Sequence, residues 1–189
     1  MLNIILFGAP GAGKGTQSRE IVKKYDLAYI STGEILRKEI AEETELGLKA
    51  KDVINRGELL SDELIIGIIE HAIEQAGDKG VLFDGFPRTV KQAEALEALL
   101  EHHERHLSIV LSLSVPREEL IQRMLKRAEI EGRVDDNEEV IQNRFKEYEA
   151  KTKPVADFYV QKSKLQKVDG TGAVEEVLNR LTIEIDKIK

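Results

Sequence analysis

Residues 8–16 read GAPGAGKGT, in which Gly8, Gly13 and Lys14 satisfy a GxxxxGK spacing. Glycines so placed let successive backbone N–H groups turn toward one anion, and the lysine can reach the β and γ phosphates of a nucleoside triphosphate. The loop follows an apolar run, Leu2–Phe7, and precedes a helical stretch from about Lys14 to Lys24, whose positive end favours the same anion. A purine nucleoside triphosphate is therefore expected against Gly11, Ala12, Gly13, Lys14, Gly15 and Thr16. The position after Lys14, where a Ser or Thr hydroxyl commonly meets Mg2+, is Gly15, with Thr16 next. An ion held directly by the protein is not expected.

Such a loop needs a rigid support. Leu2–Phe7 reads as a strand buried on both faces, and short apolar runs recur at Leu27–Ile30, Val81–Phe83, Ile109–Leu113 and Leu165–Val168. Between them lie helix-length segments at about Glu34–Glu42, Asp62–Gln75, Val90–His102, Arg117–Ala128, Glu138–Lys151 and Val174–Lys187. Strands alternating with helices predict an α/β fold with a parallel sheet covered on both faces. Ser31 and Glu34 have the spacing of a capping box, Pro116 suits a first helical position, and Pro154 reads as lying just beyond a helix end. Two stretches are too polar for core: the helical, charged residues 31–60, and the loop 127–137, RAEIEGRVDDN. Polar inserts on a rigid core formed by 1–30, 61–126 and 138–189 are expected to move.

The 189 residues suit a single domain, and 41% hydrophobic with 33% charged residues excludes a disordered or collagen-like chain. No cysteine is present, so disulfides, thiolate chemistry and a cysteine-held zinc are excluded. A net charge of −7 argues against broad binding to nucleic acid or an anionic membrane, so any polyanion must be met locally. The start, MLNIILFGAP, lacks the basic segment and long apolar stretch of a secretory signal, which gives a cytoplasmic, soluble expectation.

A second motif, DGFPRT at Asp84–Thr89, follows the apolar strand that ends at Phe83. Together with STGEILR at 31–37, GELLSDE at 57–63 and GRVDDNEE at 132–139, it makes the chain resemble the adenylate kinases, nucleoside monophosphate kinases, from Leu2 to about Val177. The resemblance implies a three-layer fold of the P-loop NTPase type with five parallel strands, an AMP-binding insert at 31–60 and a short lid at 127–137. It implies the reaction ATP plus AMP giving two ADP, with Mg2+ accompanying ATP, and a monomer.

An AMP phosphate is already ionised at neutral pH, so the implied reaction needs no general base. What it needs is two anions held in line and the spread charge of a loose transition state stabilised. By the resemblance, Arg37 and Arg88 hold the AMP phosphate, Arg123 and Arg127 lie along the ATP phosphates, and Arg133 and Arg144 reach the transferring group from the lid. Guanidinium forks suit phosphate oxygens and stay charged throughout. Thr32 and Gln92 match the family's adenine contacts, Glu58, Leu59 and Leu60 its AMP-binding backbone stretch, and Gly85, Phe86, Pro87 and Arg88 the loop beneath the monophosphate. Gly172 falls on the ATP side. Asp84 would orient the water shell of Mg2+. Asp135 and Asp136 would orient arginines, although Asp136 could equally cap the helix beginning near Glu138.

The relatives that act on UMP and CMP typically carry Ala at the position of Thr32 and Asn at that of Thr89, which favours AMP here. From another class, a GTP-dependent switch should carry NKxD, and that tetrapeptide is absent. His102 and His106 are four apart and could share a helix face as metal ligands, but with no third ligand suggested they read as a polar helix end. Gly132 could serve as a lid hinge or as a simple turn.

Overall fold

A computed structural model describes residues 1–189 apart from the side chain of Val134. The short apolar runs form the strands β1 (Asn3–Gly8), β2 (Ala28–Ser31), β3 (Val81–Asp84), β4 (Ile109–Ser114) and β5 (Leu165–Asp169). They pair in one all-parallel sheet of order β2-β3-β1-β4-β5, as the alternation of strands and helices predicts. β1 lies at the centre, and its side chains alternate between the faces as strand geometry requires. Ile5 and Phe7 enter one core, Ile4 and Leu6 the other.

The helices are α1 (Lys14–Tyr25), α2 (Thr32–Ala41), α3 (Glu45–Asn55), α4 (Asp62–Gln75), α5 (Val90–His102), α6 (Arg117–Glu131), α7 (Glu138–Glu147), α8 (Lys153–Gln161) and α9 (Val174–Asp186). α4, α5 and α8 cover the first face with Ile69, Leu96 and Tyr159, while α1, α6, α7 and α9 cover the second with Ile21, Met124, Phe145 and Leu181. Each large apolar side chain so buried contributes about 1.5–3 kcal/mol. Ser61, Thr89 and Asn137 cap α4, α5 and α7 through side-chain acceptors. The Ser31–Glu34 capping box forms only by half. Ser31 accepts from the Glu34 N–H at 3.3 Å, but the Glu34 carboxylate pairs instead with Arg19 at 2.9 Å.

Two parts of the chain differ from the sequence expectation. Residues 127–131 are helical, because nothing breaks α6 before Gly132, which caps it at φ 63°. The non-helical link is thus 132–137, with one 3-10 turn at Val134–Asp136. α8 was not expected. Pro154 sits in its first turn, where a missing N–H costs nothing, and a π-helical turn at Tyr148–Thr152 joins it to α7. Among the described residues no helix is long and apolar enough to cross a membrane.

Candidate functional site

After β3 the chain crosses β1 to reach β4, so the strand order reverses at β1, and the crevice at the carboxyl ends of the strands is where such a sheet binds ligands. The loop from β1 to α1 occupies that crevice. Gly13 stands at the N-cap of α1 with φ 89°, a left-handed conformation that a side chain would strain. Lys14 folds back over the loop, its Nζ donating to the carbonyls of Gly8 at 2.8 Å and Ala9 at 3.0 Å. Burial pulls the Lys14 pKa down to about 8; Asp84 works against this, and Arg88, Arg144 and Arg127 add to it.

Two clefts open from this point. One is bounded by the loop residues Gly11–Thr16, by Asp84, Gly172, Arg123, Arg127 and Arg133. The other is bounded by Thr32, the Glu58–Leu60 stretch, Gly85–Pro87 and Gln92. Lys14, Arg37, Arg88 and Arg144 line both. The residues expected to contact AMP therefore share one cleft, except Arg133, which lies in the other with its Nε on Glu131 at 2.6 Å. The Glu58 side chain turns onto Arg56 in a two-pronged pair at 3.1 Å, and Glu58, Leu59 and Leu60 line the cleft.

The cations fall into two electrostatic groups. Arg37 has no hydrogen-bond or ion-pair partner among the described residues, and burial followed by the neighbouring charge of Arg133 lowers its pKa. Arg88 donates through Nε to the Gly85 carbonyl at 2.8 Å, which leaves both Nη atoms without a hydrogen-bond partner among the described residues. Burial, then Arg144, pulls the Arg88 pKa down to about 10, so it remains charged at neutral pH. These two are the groups most in want of an anion. The rest are already engaged. Arg123 pairs with Glu119 and donates to the Gly170 carbonyl at 3.0 Å. Asp136, with no exposure, accepts from both Arg127 and Arg144. Asn137, not Asp136, caps α7, which settles the two roles open to Asp136 in favour of orienting arginines.

The end of the 31–60 insert leans on the helix that carries Arg144. Asn143 Nδ2 donates to the Arg56 carbonyl at 2.5 Å, and a Cβ built on Gly57 would lie 2.8 Å from Arg144 Cγ.

In the second cleft Thr32 Oγ1 donates to the Gly85 carbonyl at 2.9 Å. Gly85 has φ 78°, and a Cβ there would meet Thr32 Oγ1 at 2.7 Å and Arg88 Nη2 at 2.9 Å, so only glycine lets the two residues flank the loop. Gln92 is 2% exposed and already tied at both ends of its amide, to the Arg88 N–H and to Asp62. Asp62 was not singled out from the sequence, although it stands in GELLSDE. Tyr29 was also missed. Its hydroxyl donates to Asp84 Oδ2 at 2.9 Å, and burial followed by the Asp84 charge raises its pKa.

The histidines at 102–106 lie at the opposite rim of the sheet, where the strands begin: Asn3 Nδ2 donates to the His106 carbonyl at 2.8 Å. Among the described residues no cluster of three or more His, Asp or Glu side chains is arranged to hold a metal ion.

Residues 6–164 match the sequence model of the family described as adenylate kinase. An adenylate kinase of Porphyromonas gingivalis is 49% identical over 190 residues, spanning 100% of this chain and 98% of the relative. One from Parabacteroides distasonis is 46% identical over 190 residues with both chains fully covered. One from Azobacteroides pseudotrichonymphae is 50% identical over 189 residues, spanning 100% of this chain and 99% of the relative. A parallel sheet with a phosphate loop at its switch point, two clefts joined by four cations and full-length likeness to these enzymes place the chain in the adenylate kinase family, the ATP:AMP phosphotransferases that interconvert ATP plus AMP and two ADP.

Proposed function

We propose that the cleft bounded by Gly11–Thr16 and Gly172 holds ATP, that the cleft bounded by Thr32, Glu58–Leu60 and Gln92 holds AMP, and that their phosphates meet at Lys14, Arg37, Arg88 and Arg144. The observation that carries this reading is the sharing of those four cations by both clefts, with Arg37 and the Arg88 Nη atoms unpaired. An ionised oxygen of the AMP phosphate attacks the γ-phosphorus of ATP. The bond from that phosphorus to the bridging oxygen breaks, and ADP leaves with its terminal phosphate anionic. No proton need move. Arg88 and Arg37 hold the acceptor, Lys14 and the loop N–H groups hold the donor, and Arg144, with Arg123 and Arg133 beside it, balances charge that spreads over the transferring group.

The link at 132–137 acts as the lid, with Gly132 as its flexible end. Its closure lowers the water content of the site, which matters because water competes with AMP as phosphoryl acceptor. Thr32 and Gln92 face the adenine of AMP. The protein works as a cytoplasmic monomer on small nucleotides.

Mg2+ fits this site as an ion carried in with ATP. Gly15 offers no hydroxyl; of the acids lining the ATP side, Glu34 and Glu131 are paired with Arg19 and Arg133, and Asp84 has Oδ2 3.8 Å from a Cβ built on Gly15. Asp84 would then hold the ion through its water shell, and the ion would offset negative charge on the β and γ phosphates.

The test is calorimetry with a bisubstrate ligand, two adenosines joined through five phosphates. One molecule is expected to bind per chain, with affinity lost by at least about 10²-fold in Arg88→Ala and in Lys14→Met, as for contacts to charged groups. Two molecules per chain, or binding indifferent to both substitutions, would overturn the assignment. Turnover of AMP, UMP and CMP offered separately checks the acceptor, with AMP expected to be preferred.

A further inference from the structure

The Gln92 carboxamide is held at two points, one of them braced by a third residue. Its Oε1 accepts from the Arg88 backbone N–H at 2.8 Å, its Nε2 donates to Asp62 Oδ1 at 2.9 Å, and Thr89 Oγ1 donates to that same Asp62 oxygen at 2.9 Å. Asp62 is the first residue of α4 and Thr89 the cap of α5, so both contacts come from fixed helix ends. Chemistry makes the arrangement one-way. A carboxylate only accepts and a backbone N–H only donates. Turning the amide over would set N–H against N–H at Arg88 and oxygen against oxygen at Asp62. Gln92 is also 2% exposed, so water cannot relieve either conflict.

A primary amide tied in this way keeps one N–H and one lone pair for a ligand, in a fixed left-to-right order. The six-membered edge of a 6-aminopurine offers an acceptor at N1 beside a donor at N6. A 6-oxopurine offers the reverse, a donor at N1 beside an acceptor at O6. An amide free to turn over would match either edge; a fixed one matches one.

We propose that Asp62 is a specificity-determining positioning residue: it locks Gln92 in the orientation that suits a 6-aminopurine monophosphate and so disfavours 6-oxopurine monophosphates as phosphoryl acceptors. This rests on the reading that Gln92 faces the acceptor base. Asp62 acts through Gln92 and need not touch the nucleotide. Thr89 supports the same lock by orienting the carboxylate.

The test measures kcat and KM for AMP, IMP and GMP, and KM for ATP, in Asp62→Asn, Asp62→Ala and Gln92→Leu. Asp62→Asn keeps the shape and removes only the acceptor-only character, since its amide can present either group. The preference for AMP over IMP in kcat/KM is expected to fall about threefold or more in Asp62→Asn and about tenfold in Asp62→Ala, while KM for ATP stays within about twofold of the parent, the scale of one hydrogen bond at a recognition site. An equal loss for all monophosphates, or an unchanged AMP-to-IMP ratio in Asp62→Asn, would overturn the proposal. Gln92→Leu separates the two levels. If it raises KM for AMP while the Asp62 variants keep their selectivity, the lock alone is wrong. If it leaves KM for AMP unchanged, Gln92 does not read the base, and both readings fall.

Discussion

Asp136 holds Arg127 in a two-pronged pair, Nε to Oδ2 at 2.6 Å and Nη2 to Oδ1 at 2.8 Å. The same carboxylate takes Arg144 Nη1 on Oδ1 at 2.5 Å, so one buried acid fixes a cation on each side of the 132–137 link. Asp136→Asn removes the charge that both arginines answer. Breaking a buried pair costs about 3–5 kcal/mol, and the arginine side chains here are 26% and 19% exposed, so a loss on the order of 2 kcal/mol is expected. For a domain of this size that is a fall in Tm of about 4–8 °C. Turnover should fall by about 10–10²-fold, because Arg144 loses its aim. Thermal melts with steady-state kinetics on the same sample check both.

Arg88 is anchored by its Nε and points two unpaired nitrogens into the shared region of the clefts. Arg88→Ala should lower kcat by about 10³-fold or more while leaving the melting curve close to that of the parent protein, as catalytic arginines in phosphoryl transfer do. A loss below about tenfold would remove Arg88 from the role given to it. Arg88→Lys should recover little, since an ammonium cannot form the forked contact.

Lys14 should make both binding and stability depend on pH above neutrality. Its pKa in the folded chain is about 8 against an ordinary 10.5. Between these values the unfolded chain binds more protons, so this group's contribution makes stability rise with pH from about 8 to about 10.5. Below about 8 the cost of burying the charge is present in full. Lys14→Met should therefore raise the Tm of the unliganded protein at pH 7 by several degrees, while abolishing turnover, and the gain should shrink toward pH 10.5. Triphosphate affinity should run the other way, flat below pH 8 and weakening above it as the ammonium is lost. Melting scans and calorimetric titrations from pH 6.5 to 10 read the two trends.

Tyr29→Phe deletes the one side-chain donor to Asp84 among the described residues, at 2.9 Å, without changing the ring. The carboxylate loses a contact that orients it, so the Mg2+ concentration needed for half-maximal rate should rise about 10-fold, the lower end of the scale seen when a partner beyond the ligand shell is removed. KM for AMP should be unchanged. A magnesium titration at fixed ATP decides it.

Much of this arrangement could be read before the structure because the signals are local. GxxxxGK between an apolar run and a helix specifies a loop whatever lies elsewhere, and five short apolar runs specify the strands. What escaped depends on partners distant in sequence. Asp62 meets Gln92 across 30 positions and Tyr29 meets Asp84 across 55, and neither pairing leaves a spacing to notice. α8 was hidden by Pro154, which reads as a stop yet fits the first turn of a new helix. The helical state of Arg127–Glu131 was hidden too, because that charged run resembles a loop in composition but contains no helix breaker before Gly132. Asp136 stood one residue from the true cap, a distance that composition cannot resolve and hydrogen bonding can.

The parallel sheet gathers Lys14, Arg37, Arg88 and Arg144, the cations proposed to meet the phosphates, at one rim, and the opposite rim is closed by plain structural bonds. Asn3 binds the His106 carbonyl there, and Arg105 binds the carbonyls of Lys79 and Gly77. The turns at Gly77–Lys79 and His102–Glu104 are accordingly handles on the molecule: a fluorophore, a surface tether or a grafted peptide attached at either would ride on the working enzyme as a passenger.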